Sequence, residues 1–96
     1  MTINLKKFGT LLFSRETGRE AFAALQSQLT ELKDEEVIEI DFEGVVTFSP
    51  SWGDEFLCPL FNRFGKRLAL KNTENPSVQA TLKLLGGIYG KDFVFT

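Results

Sequence analysis

The feature that most constrains this chain is a switch in hydrophobic period, repeated along its length. "TINLKK" near the N-terminus, "VIEIDF" at 37–42, "RLALK" at 67–71 and "DFVFT" at the C-terminus alternate apolar and polar residues. That is the period of a strand with one face buried. Between them lie stretches whose apolar residues recur every three or four positions, the stripe of a helix packed on a core. Phe22, Leu25, Leu29 and Leu32 form the first, Trp52, Phe56, Leu60, Phe61 and Phe64 the second, and Val78, Leu82 and Leu85 the third. The order is therefore βαβαβαβ, one α/β domain over residues 1–96 with no linker, repeat or low-complexity segment.

Local signals set the expected boundaries. Thr17 and Glu20 have the T-x-x-E spacing of a capping box, which predicts a helix over about 17–33. Ser51 and Asp54 have the same spacing, as S-x-x-D, close to a capping box, and predict a second helix over about 51–64. Pro59 removes one backbone hydrogen bond from that helix and should kink it. Asn75-Pro76 reads as a cap followed by proline at the first helical position, and Gly86-Gly87 as the end of the third helix. "LLF" at 11–13 is too short to assign. Within "GGIYG" at 86–90 no Lys-Ser/Thr follows, so it reads as a turn and not a phosphate loop.

Alternation with helices favours a sheet rich in parallel pairs. Strict alternation within each strand, however, implies a sheet covered on one face only, where parallel sheets are rare. The expected architecture is a two-layer sandwich, with a four-stranded mixed sheet and three helices on one face. The first strand is expected to run antiparallel. The open face would carry Lys6, Glu39, Asp41, Arg67, Lys71 and Asp92, in mixed signs that suit cross-strand pairs.

Composition narrows the chemistry. The chain has no histidine and one cysteine, which excludes Ser-His-Asp and Cys-His catalysis and His/Cys metal sites. Cys58, inside "FLCPLF", reads as a small buried hydrophobe. Glu35 and Glu36 read as a solvated loop, and no spaced pair of acids stands out. The expectation is a non-enzymatic domain with no metal and no cofactor. A net charge of −2 without a basic block gives no basis for binding nucleic acid or an anionic membrane. No apolar run has the length of a membrane span, and the N-terminus lacks the features of a signal peptide. A lone cysteine and the absence of targeting make the cytoplasm the expected compartment.

One stretch, "VIEIDFEGVVTFSPSWGDEFL", has a strand ending near an aspartate, an apolar segment, and a helix start. It resembles the STAS fold, the domain of anti-sigma factor antagonists and sulfate-transporter tails. Counting from Asp41, the family's Asp-Ser-Ser-Gly signature falls on Ser49-Pro50-Ser51-Trp52, where only Ser51 keeps its type. It lands on the serine that the family's partner kinase phosphorylates. The fuller resemblance is to STAS-like domains of unknown function, through Arg15 and Gly18, the "DFEGV" strand end, and "PS-aromatic-x-DEF" at the helix start. Such proteins are often bacterial or phage-encoded, and some accompany a histidine-kinase-like ATPase. The resemblance implies a regulatory protein-interaction domain, a monomer or weak dimer, with that kind of ATPase or serine kinase as partner. Ser51 would be the phosphorylation candidate, and Gly44, Ser49, Pro50, Ser51, Trp52, Asp54 and Glu55 the partner-binding surface.

Each of these residues also has a plain structural reading. Ser51 as an N-cap satisfies a free backbone N–H, and Asp54 and Glu55 suit the positive end of a helix dipole. A phosphate on Ser51 would meet the same two acids and be repelled by them, which is one way to dislodge a partner. Trp52 is either the end of the core or an interface anchor, with core favoured. Two further functions stay open: a nucleotide- or lipid-binding module using the loop before the second helix, and an unregulated structural or dimerisation domain.

Overall fold

The computed structural model describes residues 1–89 and 94–95. The chain runs β1 (Thr2–Asn4), β2 (Leu11–Leu12), α1 (Arg15–Leu29), β3 (Ile38–Asp41), β4 (Thr47–Phe48), α2 (Pro50–Phe64), β5 (Leu68–Lys71), α3 (Pro76–Tyr89) and β6 (Val94–Phe95). Single 3-10 turns occupy Leu5–Phe8 and Gly65–Arg67.

The main sheet has the order β1-β3-β5-β6, and all of its pairs are parallel. The expected mixed sheet with an antiparallel first strand is thus corrected. Helices α1, α2 and α3 each separate two strands that are neighbours in this sheet, so each crossing returns the chain to the same end of it. The alternation reports one apolar and one polar face, but it carries no information on strand direction, which the helical crossings set. Ile3 pairs with Ile40, and Ile38 and Ile40 pair with Leu68 and Leu70, so one face is uniformly apolar. On the other face Thr2 Oγ1 donates to Glu39 Oε1 at 3.0 Å, and Lys71 Nζ lies 3.8 Å from Glu39 Oε2.

A second sheet joins β2 and β4, also in parallel, with Leu11 opposite Thr47 and Leu12 opposite Phe48. It was absent from the expected topology. Val46 N–H and Thr47 N–H both donate to Thr10 O, a bulge that starts the pairing.

One buried cluster unites the layers. It joins Ile3, Ile38, Ile40, Leu68 and Leu70 of the sheet to Leu25 and Leu29 of α1, Trp52, Phe56 and Leu60 of α2, and Val78 and Leu82 of α3. Trp52 is its largest member and is 1 % exposed. Its ring centroid lies 4.7 Å from that of Phe56 and 5.9 Å from that of Phe48, with Phe8 a further 5.6 Å from Phe56. Such pairs add to the area-driven gain of burying large rings in a small domain.

Several expected boundaries move. β1 ends at Asn4, and a 3-10 turn takes Lys6 off the sheet face. α1 begins at Arg15, with Ser14 and not Thr17 as its N-cap: Ser14 Oγ accepts from Thr17 N–H at 3.1 Å. It ends at Leu29, so Leu32 packs on the core from beyond the helix. α2 runs through Pro59 without a break. α3 starts as expected, with Asn75 Oδ1 accepting from Ser77 and Val78 N–H, but continues past Gly86-Gly87 to Tyr89. Glycine weakens a helix by about 1 kcal/mol per residue without ending it, and buried Leu85 holds this turn to the core. Arg67 lies in the second 3-10 turn and donates to Glu36 O and Lys33 O, so it is not a member of an open charged face. The expected positions of Asp92, Phe93 and Gly90, and the side-chain direction of Phe95, lie outside the described residues. No described helix is long and apolar enough to cross a membrane.

Candidate functional site

The segment from β3 to the start of α2 is built as a series of anchored turns. Asp41 closes β3. It was expected on the open face, yet it is only 8 % exposed. Its Oδ1 accepts from Glu43 N–H at 2.9 Å and from Asn72 Nδ2 at 2.7 Å. The Asn72 hydrogen bond, assisted by Glu43 N–H and the nearby Lys71 and Lys6, holds the Asp41 carboxyl below its ordinary range, against the opposing effect of burial. The aspartate of the strand end is thus a structural clasp between β3 and the end of β5. Gly44 follows with φ +81°, a backbone region that other residues rarely adopt, and a Cβ there would also meet Lys6 at 3.3 Å.

β4 then delivers Ser49. Its N–H donates to Leu12 O, its Oγ donates to Phe13 O at 2.7 Å, and the same Oγ accepts from Trp52 N–H at 3.2 Å. Ser49 is therefore the N-cap of α2, with Pro50 at the first helical position. The expected cap at Ser51 is corrected. The β2–β4 pairing fixes Ser49 and leaves Ser51 one residue inside the helix. Ser51 is half-buried, and its hydroxyl makes no hydrogen bond to the described residues. Trp52, offered as a partner anchor, is in the core, so the surface around it consists of Ser49, Pro50, Ser51, Asp54 and Glu55. Gly44 shapes the turn that leads there.

Two residues of α1 complete the site. Arg15 Nη1 donates to Asp54 Oδ2 at 2.7 Å and to Glu55 Oε1 at 2.9 Å, and Arg19 Nη2 lies 3.6 Å from Glu55 Oε1. The hydrogen bond from Arg15 holds the Glu55 carboxyl below its usual range, and Asp54 first, then Glu55, push the Arg15 guanidinium further up. Gly18 lets the helices meet: a Cβ there would stand 2.8 Å from Trp52 O. Arg15 and Gly18, which carried part of the resemblance, both lie inside α1 and face α2.

Sequence reasoning missed an apolar flank. Leu11, Phe13 and Val46 are each 58 % exposed. They lie on or beside the β2–β4 pair, whose other face, Leu12 and Phe48, is in the core. Phe13 supplies the carbonyl that holds Ser49. The signal was present in "LLF", where Leu11 and Phe13 flank buried Leu12 at strand spacing.

Neither the curated proteins nor the solved structures contain a match to this chain. A family model described as STAS-like domain of unknown function (DUF4325) matches residues 25–78, more than half of the 96-residue chain. The match contains Asp41, Gly44, the Ser49 cap, Ser51, Asp54, Glu55 and Asn72, and begins after Arg15 and Gly18. With its α/β fold and its strand–loop–helix built around Asp41 and Ser49, this chain belongs to the family of STAS-like domains of unknown function.

Proposed function

We propose that this domain is a non-enzymatic, cytoplasmic regulatory module. In this reading it binds a protein partner, an ATPase of histidine-kinase-like type with serine kinase activity, through the start of α2 and the flanking β2–β4 sheet. Phosphorylation of Ser51 releases that partner. One observation carries the reading: Ser49 does the capping, so the Ser51 hydroxyl has no structural duty, and Ser51 lies two residues past a cap that is tied to Phe13 O on the exposed β2 flank. An N-cap serine would be committed to the backbone and poorly placed to accept a phosphoryl group. The exposed Phe13, whose carbonyl holds Ser49, offers the apolar area on which interface anchors depend. Added charge at Ser51, close to Asp54 and Glu55, changes the surface that the partner meets.

The test is a tagged capture from the native cell with three baits: wild type, Ser51→Ala and Ser51→Glu. Each bait is first shown to be folded by its thermal transition. Wild type and Ser51→Ala are expected to hold the same ATPase, and Ser51→Glu to lose it. Identical bound proteins on all three baits, or none on any, would refute the reading.

A further inference from the structure

Resting on the reading of Ser51 as the phosphorylated residue, we propose that Arg15 is the built-in receptor for the Ser51 phosphate, which it takes up in exchange for Asp54 and Glu55. Asp54 and Glu55 follow Ser51 by three and four residues on α2, so they share its side of the helix. At about 100° per residue, Asp54 stands roughly 60° to one side of Ser51 and Glu55 roughly 40° to the other. Arg15 Nη1 bonds both carboxylates, at 2.7 and 2.9 Å. The guanidinium therefore bridges the two side chains that flank the Ser51 position on the helix surface. Helical side chains lean towards the N-terminus, so the two carboxylates that hold this cation lean back towards the turn that carries Ser51.

The arginine has donors to spare. Guanidinium carries five N–H groups, and only those of Nη1 are engaged among the described residues. Nε and Nη2 are left for a phosphate, which suits the planar two-pronged geometry of this side chain. The backbone around Arg15 is fixed by the Ser14 cap and by the close approach of Gly18 to Trp52. Its side chain is half exposed, so a phosphoryl group can reach it. Arg19, 3.6 Å from Glu55, remains as partner for the carboxylate that Arg15 gives up.

The covalent step is an ordinary transfer from a nucleoside triphosphate. Ser51 Oγ forms a bond to the γ-phosphorus, the bond to the β,γ-bridging oxygen breaks, the diphosphate leaves, and the hydroxyl proton passes to a base on the partner. Without Arg15 the new dianion would face Asp54 and Glu55 with only Arg19, 3.6 Å from Glu55, to offset them. With it, the phosphate is fixed against the joint between α1 and α2.

The experiment places phosphoserine at position 51 by chemical synthesis of the chain, so no kinase is needed, and follows the phosphorus resonance through a pH titration. The second ionisation of phosphoserine, ordinarily near pH 6, is expected to fall by about half a unit or more relative to the Arg15→Gln chain. Arg15→Lys, which retains the charge, is expected to recover part of that fall, and Arg19→Gln to leave the midpoint almost unmoved. Equal midpoints in the wild-type, Arg15→Gln and Arg15→Lys chains would overturn the proposal. So would an Arg19→Gln effect as large as that of Arg15→Gln. Because the phosphate is installed without a partner, a failure here leaves the partner reading standing. A bound phosphate that no captured protein discriminates would refute that reading and not this one.

Discussion

Replacing Gly18 by alanine sets two effects of opposite sign against each other. Within a helix, Gly→Ala normally stabilises, by about 1 kcal/mol. At Gly18 the added methyl would stand 2.8 Å from Trp52 O, 3.1 Å from Trp52 Cα and 3.3 Å from Glu55 Cβ. The first two are backbone atoms of α2, and the Trp52 side chain is wedged between Phe48 and Phe56, so α2 cannot yield cheaply. Overpacking of this kind costs about 1–3 kcal/mol. The net expectation is a loss of about 1 kcal/mol, taking the middle of that range less the helix gain. Gly87 in α3 is the control, since a Cβ there has nothing within 4 Å. Gly87→Ala should gain about 0.5–1 kcal/mol by lowering the freedom of the unfolded chain. Urea unfolding of both variants beside wild type, fitted with a shared slope, reads the difference directly. For a domain of this size each kcal/mol moves the thermal midpoint by about 4–8 °C. If Gly18→Ala is stabilised as much as Gly87→Ala, the close α1–α2 approach that brings Arg15 to Asp54 and Glu55 is wrong.

Ser49→Ala removes the α2 cap and the donor to Phe13 O, and should lower stability by about 1–2 kcal/mol in the same assay, while Ser51→Ala stays within about 0.5 kcal/mol; the reverse order would return the cap to Ser51. Asn72→Gly keeps the backbone at φ +55° but deletes the amide that bonds Asp41, at an expected cost of about 1.5–3 kcal/mol near neutral pH. Asp41 titrates below its ordinary 3.8 in the folded state, so its contribution is full above that value and fades as pH falls through the lower folded value. The gap between wild type and Asn72→Gly should accordingly narrow in urea titrations run below pH 3.8; a gap that stays constant or widens there would remove Asp41 from the account. Phe13→Ser, at a side chain 58 % exposed, should leave the thermal midpoint nearly unchanged and, introduced into the bait, abolish the capture of the partner that the wild-type bait achieves; undiminished capture by the Phe13→Ser bait would separate the β2–β4 face from the binding surface.

Much of the candidate site was legible as sequence but assigned to the wrong atoms. "TFSPSWGDEF" was recognisable as a helix start, and the polar surface of Ser49, Pro50, Ser51, Asp54 and Glu55 follows from it. Two serines flank Pro50, and either could cap. The choice fell to Ser49 because its N–H and Oγ are tied to Leu12 and Phe13, thirty-six or so residues earlier. The same distance in sequence hid the Arg15 bridge to Asp54 and Glu55, and the Asn72 bond that turned Asp41 from a presumed surface charge into a buried clasp.

Sequence by itself determined the number and order of the three helices, the faces that Ile38, Ile40, Leu68, Leu70, Trp52, Phe56, Leu60, Val78 and Leu82 turn to the core, and the Asn75 cap with Pro76 behind it. These depend on periods and hydrogen bonds that span a few residues, so the local chain carries them whatever the rest does. Only the tertiary structure decided that every strand pair is parallel, that "LLF" joins β4 in a sheet of its own, and that Arg15 and Gly18 complete a site whose serine lies on another helix. Those outcomes rest on contacts between segments twenty-five or more residues apart, where the partner is set by how helices and sheet share one buried core and not by any pattern within either segment.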